Sequence, residues 1–142
     1  CLAGQAFANA PVAAVHALAY PLGGHFKVPH GLSNALMLPH VMRFNLSHCA
    51  DLYAELAANM TVIPFTDSHQ EQQAIALIEY FEALIKQLSL PTSLAEIGIK
   101  PADIDSLAND AMLQTRLLIN NPKPLLLGDA KYIYQQAYRG LS

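Results

Sequence analysis

The chain reads as an all-α bundle of six or seven helices. Three observations predict it: apolar residues recur at steps of three and four through most of the 142 residues, no run alternates apolar and polar over a useful length, and proline, glycine and capping residues fall at helix-sized intervals. That length suits one domain with a real core.

The elements follow in order. From Ala3 to Leu22 the residues are small and apolar, with Phe7, Ala10, Ala14, Val15 and Leu18 near helical spacing. Pro11 marks a kink there, or the first turn of a helix capped by Asn9. Pro21 and Gly23-Gly24 should end it, leaving His25 to Pro29 as a turn or short loop. A second helix should start near His30, send Leu32, Leu36, Met37 and Val41 inward and bend at Pro39. A third should run from Asp51 to Met60, capped by Ser47 or His48, with a connector from Thr61 to Ser68. Glu71 to Ser89 is the clearest amphipathic stretch, and Glu82 stands four residues before Lys86. Thr92, Ser93 and Glu96 form a capping-box pattern for one short helix before Gly98. Pro101 sits in the first turn of a helix reaching about Leu113. A polar loop from Asn120 to Pro124 precedes a last helix, capped by Asp129 and closed by Gly140 after Arg139.

Composition narrows the function classes. At 53% hydrophobic and 13% charged the chain is too apolar for disorder, and part of its surface is expected to be covered. A net charge of −3 without a basic cluster argues against nucleic acid. No apolar run reaches the roughly 18 residues of a membrane span. Two cysteines, Cys1 and Cys49, make no disulfide framework or zinc-finger spacing, so a reducing cytoplasm is the expected compartment. The chain starts without methionine and inside an apolar segment, which suggests a piece of a larger protein.

The chemistry concentrates in HALAYPLGGHFKVPHG, His16 to Gly31. His16 and Tyr20 are four apart and share a helix face. His30 opens the next helix, where the dipole disfavours imidazolium and keeps a lone pair for a metal. His16 and His30 are therefore candidate metal ligands with Tyr20 beside them, although most histidine pairs of such spacing are structural. His25 is expected in the loop, exposed or lining a cleft. His40 reads as a core or capping histidine, His48 and His69 as cap or surface positions, and Cys49 as a small buried hydrophobe.

The order of these residues resembles a known family. AGQAFANAPVAAVHALAYPLGGHFKVPHGLSNALMLPHVMRFN, Ala3 to Asn45, is similar to the second signature of the iron-containing (group III) alcohol dehydrogenases: a histidine, a PLGG turn, then PHG and a helix ending L-P-H. NPKPLLLGDAKYIYQQAY, Asn121 to Tyr138, resembles that family's closing segment.

The resemblance implies a C-terminal helical domain whose parent also has an N-terminal α/β domain binding NAD or NADP. In that family one aspartate and three histidines hold a divalent metal, Fe2+ or sometimes Zn2+. Carried over, His16 matches the third ligand and His30 the fourth. Tyr20 stands where a histidine near nicotinamide and substrate is common, which gives it an implied catalytic and cofactor-facing place. Phe7 and His25 are implied near the same cleft. The implied reaction is hydride transfer between a small alcohol or aldehyde and the nicotinamide, with the metal polarising the substrate oxygen. A phenol at position 20 still hydrogen-bonds but does not relay protons near neutral pH as imidazole does. The other two ligands, an Asp-x-x-x-His pair, and the nucleotide-binding loop have no match in the 142 residues. The expectation is thus a single helical domain over 1–142, inactive by itself, that joins a nucleotide-binding domain and can pair with a second copy as a homo-oligomer.

Overall fold

The computed structural model describes residues 1–60 and 69–141, apart from the side chains of Ala3 and Phe7. The connector expected over Thr61 to Ser68 lies outside the described residues. Seven α-helices and no strands occur among the described residues: α1 Leu2–Asn9, α2 Ala14–Phe26, α3 His30–Asn59, α4 Gln70–Gln87, α5 Ile104–Met112, α6 Thr115–Leu118 and α7 Leu127–Arg139. A 3-10 turn, Pro101–Asp103, leads into α5. The all-α reading of the sequence holds.

Several boundaries move, each for a physical reason. The first expected helix divides at Pro11. The Asn9 amide turns back to the Gln5 carbonyl at 2.8 Å rather than capping α2, whose N-cap position is Ala13. Pro21, Gly23 and Gly24, in contrast, do not stop α2. Ala14, Ala17, Leu18, Pro21 and Leu22 are buried along one face, and that burial outweighs the helix-breaking tendency. Pro21 lacks the N–H that the Ala17 carbonyl would accept. One residue on, the buried Tyr134 hydroxyl of α7 donates to the Leu18 carbonyl at 2.6 Å, bracing α2 where the proline weakens it. The stop comes at Lys27, left-handed at φ 55°, with Lys27 N–H bonded to Gly23 O at 3.1 Å and Val28 N–H to Leu22 O at 3.4 Å.

The second and third expected helices are one. α3 runs 30 residues through Pro39 and past Ser47 and His48, which bond each other at 3.0 Å on the surface instead of capping. No glycine or proline interrupts it after Pro39, and its length packs along α4. The Thr92 to Glu96 box forms its bonds without a helix. Thr92 Oγ1 donates to Glu96 at 2.7 Å and Ser93 Oγ at 3.0 Å, but left-handed Gly98 closes the chain after a single turn. Asp129 sits three residues into α7 and accepts the Leu126 N–H at 2.9 Å, so it supplies the return half of a capping box, not the cap itself.

One buried cluster joins α2, the first half of α3, α5 and α7, with Leu18, Leu22, Met37, Leu107, Ile133 and Tyr134 at its centre. A smaller one, Met42, Ala57, Leu77 and Ile78, seals α3 on α4. Gly140 ends α7 at φ 96° where a Cβ would stand 3.2 Å from that of Ser93. Bonds from Leu94 N to Ala137 O at 2.9 Å and from Leu141 N to Thr92 O at 3.2 Å tie the chain end to that loop. No described helix is long and apolar enough to cross a membrane.

Candidate functional site

α2 and α3 are joined by the short bend at Lys27 to Pro29, which folds the start of α3 back against the middle of α2. The bend brings three rings together. The His16 and His30 centroids are 5.2 Å apart, His16 and Tyr20 6.2 Å, and Tyr20 and His30 6.0 Å. His16 is half-buried, while His30 and Tyr20 are exposed, Tyr20 at 43%. The spacing suits a shared ion: with metal–nitrogen bonds of about 2.0–2.1 Å and roughly 1.1 Å from nitrogen to ring centre, two imidazoles at a tetrahedral angle stand about 5 Å apart.

Electrostatics favour neutral imidazole at His16. Burial, and then the neighbouring His30, holds its pKa below the usual histidine value of 6.5. At His30 the Asn34 side-chain amide, one turn on in α3, donates to Nε2 at 3.0 Å and to the His30 carbonyl at 3.0 Å. A nitrogen that accepts carries no proton, so His30 is in its Nδ1–H form with the lone pair on Nε2. The Asn34 Oδ1 is buried and lacks a partner among the described residues. Asn34 is the neighbour that sequence reasoning missed, and its place four residues after His30 on one helix face was the available signal.

The remaining expected residues separate. His25 does not join the three rings: its Nε2 bonds the Asp110 carboxylate on α5, and its ring lies beside Phe26. Nothing in the local sequence announced Asp110, which lies 85 positions away. Phe7 belongs to α1 and its side chain lies outside the described ones. Tyr20 also walls a cavity of about 360 Å3 together with Leu113, Gln114, Thr115, Arg116 and Leu117. Among the described residues no group of three or more His, Cys, Asp or Glu converges in a way that would hold a metal ion. Of the others, His40 is buried in mid-helix and caps nothing, His48 is exposed, His69 is the N-cap residue of α4, and Cys49 is buried.

Residues 1–138 match the model of the Fe-containing alcohol dehydrogenase family, C-terminal. The chain belongs to the iron-containing alcohol dehydrogenase family. It corresponds to the C-terminal helical domain of its members. It is 40% identical over 143 aligned residues to a long-chain-alcohol dehydrogenase of Geobacillus thermodenitrificans, covering 98% of this chain and 35% of that protein. It is 34% identical to a lactaldehyde reductase of Escherichia coli, covering 96% and 35%. The crystal structure of a 1,3-propanediol oxidoreductase superposes with a TM-score of 0.90 at 34% identity, again over 96% of this chain and 35% of the other. The chain therefore spans about a third of the length of the iron-containing alcohol dehydrogenases it matches.

Proposed function

We propose that this domain contributes His16 and His30 to a divalent metal centre in an NAD(P)-dependent alcohol or aldehyde oxidoreductase. The observation that carries the reading is the 5.2 Å approach of those two rings within the family's signature. When bound, the ion supplies Lewis-acid polarisation of the substrate oxygen and the nicotinamide accepts or returns hydride.

The chain's own residues do the rest. Burial favours the neutral form of His16, and Asn34 fixes the His30 tautomer with Nε2 unprotonated, so a metal would take the His30 Nε2 lone pair in place of the Asn34 amide. Tyr20 stands beside both with a hydroxyl that can hydrogen-bond a substrate or nicotinamide group. The wall formed by Leu113 to Leu117 next to Tyr20 shapes the substrate's alkyl end. A nucleotide-binding domain supplies the other ligands, the NAD or NADP site and the opposite wall, and the working compartment is the cytoplasm. A second reading, a domain that functions alone, has no observation in its favour.

The test is a titration of the chain with Fe(II) and Zn(II), beside a His16→Ala, His30→Ala double variant. Weak stoichiometric binding that the double variant loses supports a preformed half-site. Binding equal in both proteins removes these histidines from the proposal.

A further inference from the structure

α3 carries an apolar surface that has no part in the histidine pair. Leu38, Met42, Asn45, Cys49, Leu52 and Leu56 all line one open groove of about 420 Å3. They follow one another at steps of four, three, four, three and four, the spacing of the seam along which two helices pair. From Leu38 to Leu56 the seam is about 27 Å long at roughly 1.5 Å per residue. Ala13 to Val15, where α2 begins, and Phe81 of α4 line the groove as well. His30 precedes Leu38 by two turns and roughly 80° of rotation, so the groove opens on another face of the helix.

The seam has a closed floor and a bare rim. Met42 and Cys49 are buried, whereas Leu52 is 58% exposed and Leu56 47%. The one amide on the seam, Asn45, is already paired with Asn121. Among the described residues no acidic, basic or histidine side chain lines the groove. Large leucines left bare beside an uncharged groove mark a surface that something covers. The period of the seam says what. A strand presents side chains at a period of two, and a small molecule has no use for so long a row. A helix of about 18 residues meets every position along it.

α1 is too short to be that helix, since its 8 residues span about 12 Å, but it shows the direction. Its described residues are all exposed, and it ends four residues before Ala13 at the groove. The Geobacillus thermodenitrificans and Escherichia coli relatives are each matched over 35% of their length, which leaves about two thirds of each polypeptide outside the match. The matched part is the family's C-terminal one. In a protein of that length, a segment running ahead of α1 reaches this domain beside the groove. We propose that the groove docks an amphipathic helix of the parent oxidoreductase from ahead of α1, whose apolar face lies along Leu38 to Leu56. The inference rests on the reading of this domain as the C-terminal part of a longer enzyme, and it involves neither metal ligand.

The experiment joins the chain behind the N-terminal two thirds of the Geobacillus thermodenitrificans long-chain-alcohol dehydrogenase, its relative at 40% identity. Leu52→Cys and Leu56→Cys are introduced one at a time, in this fusion and in the isolated chain. Alkylation by iodoacetamide is followed by peptide mass mapping, each rate taken relative to the urea-unfolded protein. Both cysteines should react in the isolated chain within a few-fold of the unfolded rate, and at least tenfold more slowly in the fusion. Leu52→Glu with Leu56→Glu should lower the urea midpoint of the fusion and leave that of the isolated chain nearly unmoved. A folded fusion in which both cysteines react as fast as in the isolated chain overturns the proposal, and leaves the metal reading to the zinc titration. Protection already present in the isolated chain also overturns it, in favour of a second copy if sedimentation shows a dimer and of the chain's own packing if it shows a monomer. If the fusion does not fold, cysteines at the aligned positions of the intact Geobacillus enzyme decide.

Discussion

Asn34 donates one side-chain amide nitrogen to both the Nε2 and the carbonyl oxygen of His30, each across 3.0 Å. The carbonyl can only accept, so the group at that position must be the NH2, and the amide orientation follows. The ring nitrogen opposite it must then be the unprotonated one. In the metal-free chain above the histidine titration range, 15N spectra should show His30 as the Nδ1–H tautomer. Asn34→Leu should return it to a mixture. A dominant Nε2–H form in the unaltered chain would refute the assignment.

His40 predicts a pH dependence of stability. Its native pKa of about 4 lies below the unfolded value of 6.5. Between those values the unfolded chain binds a proton that the folded chain refuses, so stability rises with pH across this window and is lost as the pH falls through it. The gap from 6.5 to about 4 corresponds to roughly 3 kcal/mol when complete. Urea unfolding midpoints measured from about pH 7 down to about pH 4, with guanidinium as a check on slope, should fall steadily for the unaltered chain. His40→Phe should flatten the fall, leaving the smaller contribution that His16 makes in the same direction. An unchanged slope in that variant would place the acid sensitivity elsewhere.

Tyr134 tests why a proline is tolerated in α2. Its hydroxyl reaches the Leu18 carbonyl at 2.6 Å from within a fully buried setting, and burial, with Asp110 adding to it, pushes the phenol pKa well up, so it remains a donor. Tyr134→Phe keeps the ring and removes the second bond to the Leu18 carbonyl, which retains its helical one, an expected loss of about 0.5–1.5 kcal/mol by denaturant unfolding. Pro21→Ala restores an N–H for the Ala17 carbonyl and so stiffens the turn that Tyr134 braces, and the same tyrosine change in that background should cost less. Equal losses in both backgrounds would separate the tyrosine from the proline.

The contrast between Pro11 and Pro21 shows what a sequence can and cannot disclose. Both look like breakers, but only the first breaks. What distinguishes them is burial of the Ala14, Leu18 and Leu22 face and a hydroxyl 116 residues away, neither of which is local. The same holds for the join of two expected helices into α3, which is decided by packing on α4, and for Asp110 meeting His25. His16, Tyr20 and His30 were legible because helical spacing and one short bend suffice to bring them together. The capping bonds of Glu96 and Asp129 were legible too, since each needs only residues three or four away. Local chemistry survives in the sequence, and the length of each helix depends on what it packs against.

The polar loop from Asn120 to Pro124 is held to α3 by a buried reciprocal amide pair. Asn45 donates to the Asn121 Oδ1 at 3.0 Å, and Asn121 donates to the Asn45 Oδ1 at 2.8 Å and to the Lys123 carbonyl at 2.7 Å. Both residues are buried, with exposures of 4% for Asn45 and 9% for Asn121. Asn45→Leu alone strands a buried amide on Asn121 and should cost about 1–3 kcal/mol, with Asn121→Leu at least as damaging because the Lys123 carbonyl also loses its donor. Removing both partners strands fewer groups than two separate losses imply. The double variant should therefore be less destabilised than the sum of the singles, by about 0.5–3 kcal/mol in a mutant cycle. Strict additivity would mean that the two amides are independently solvated, which their burial argues against.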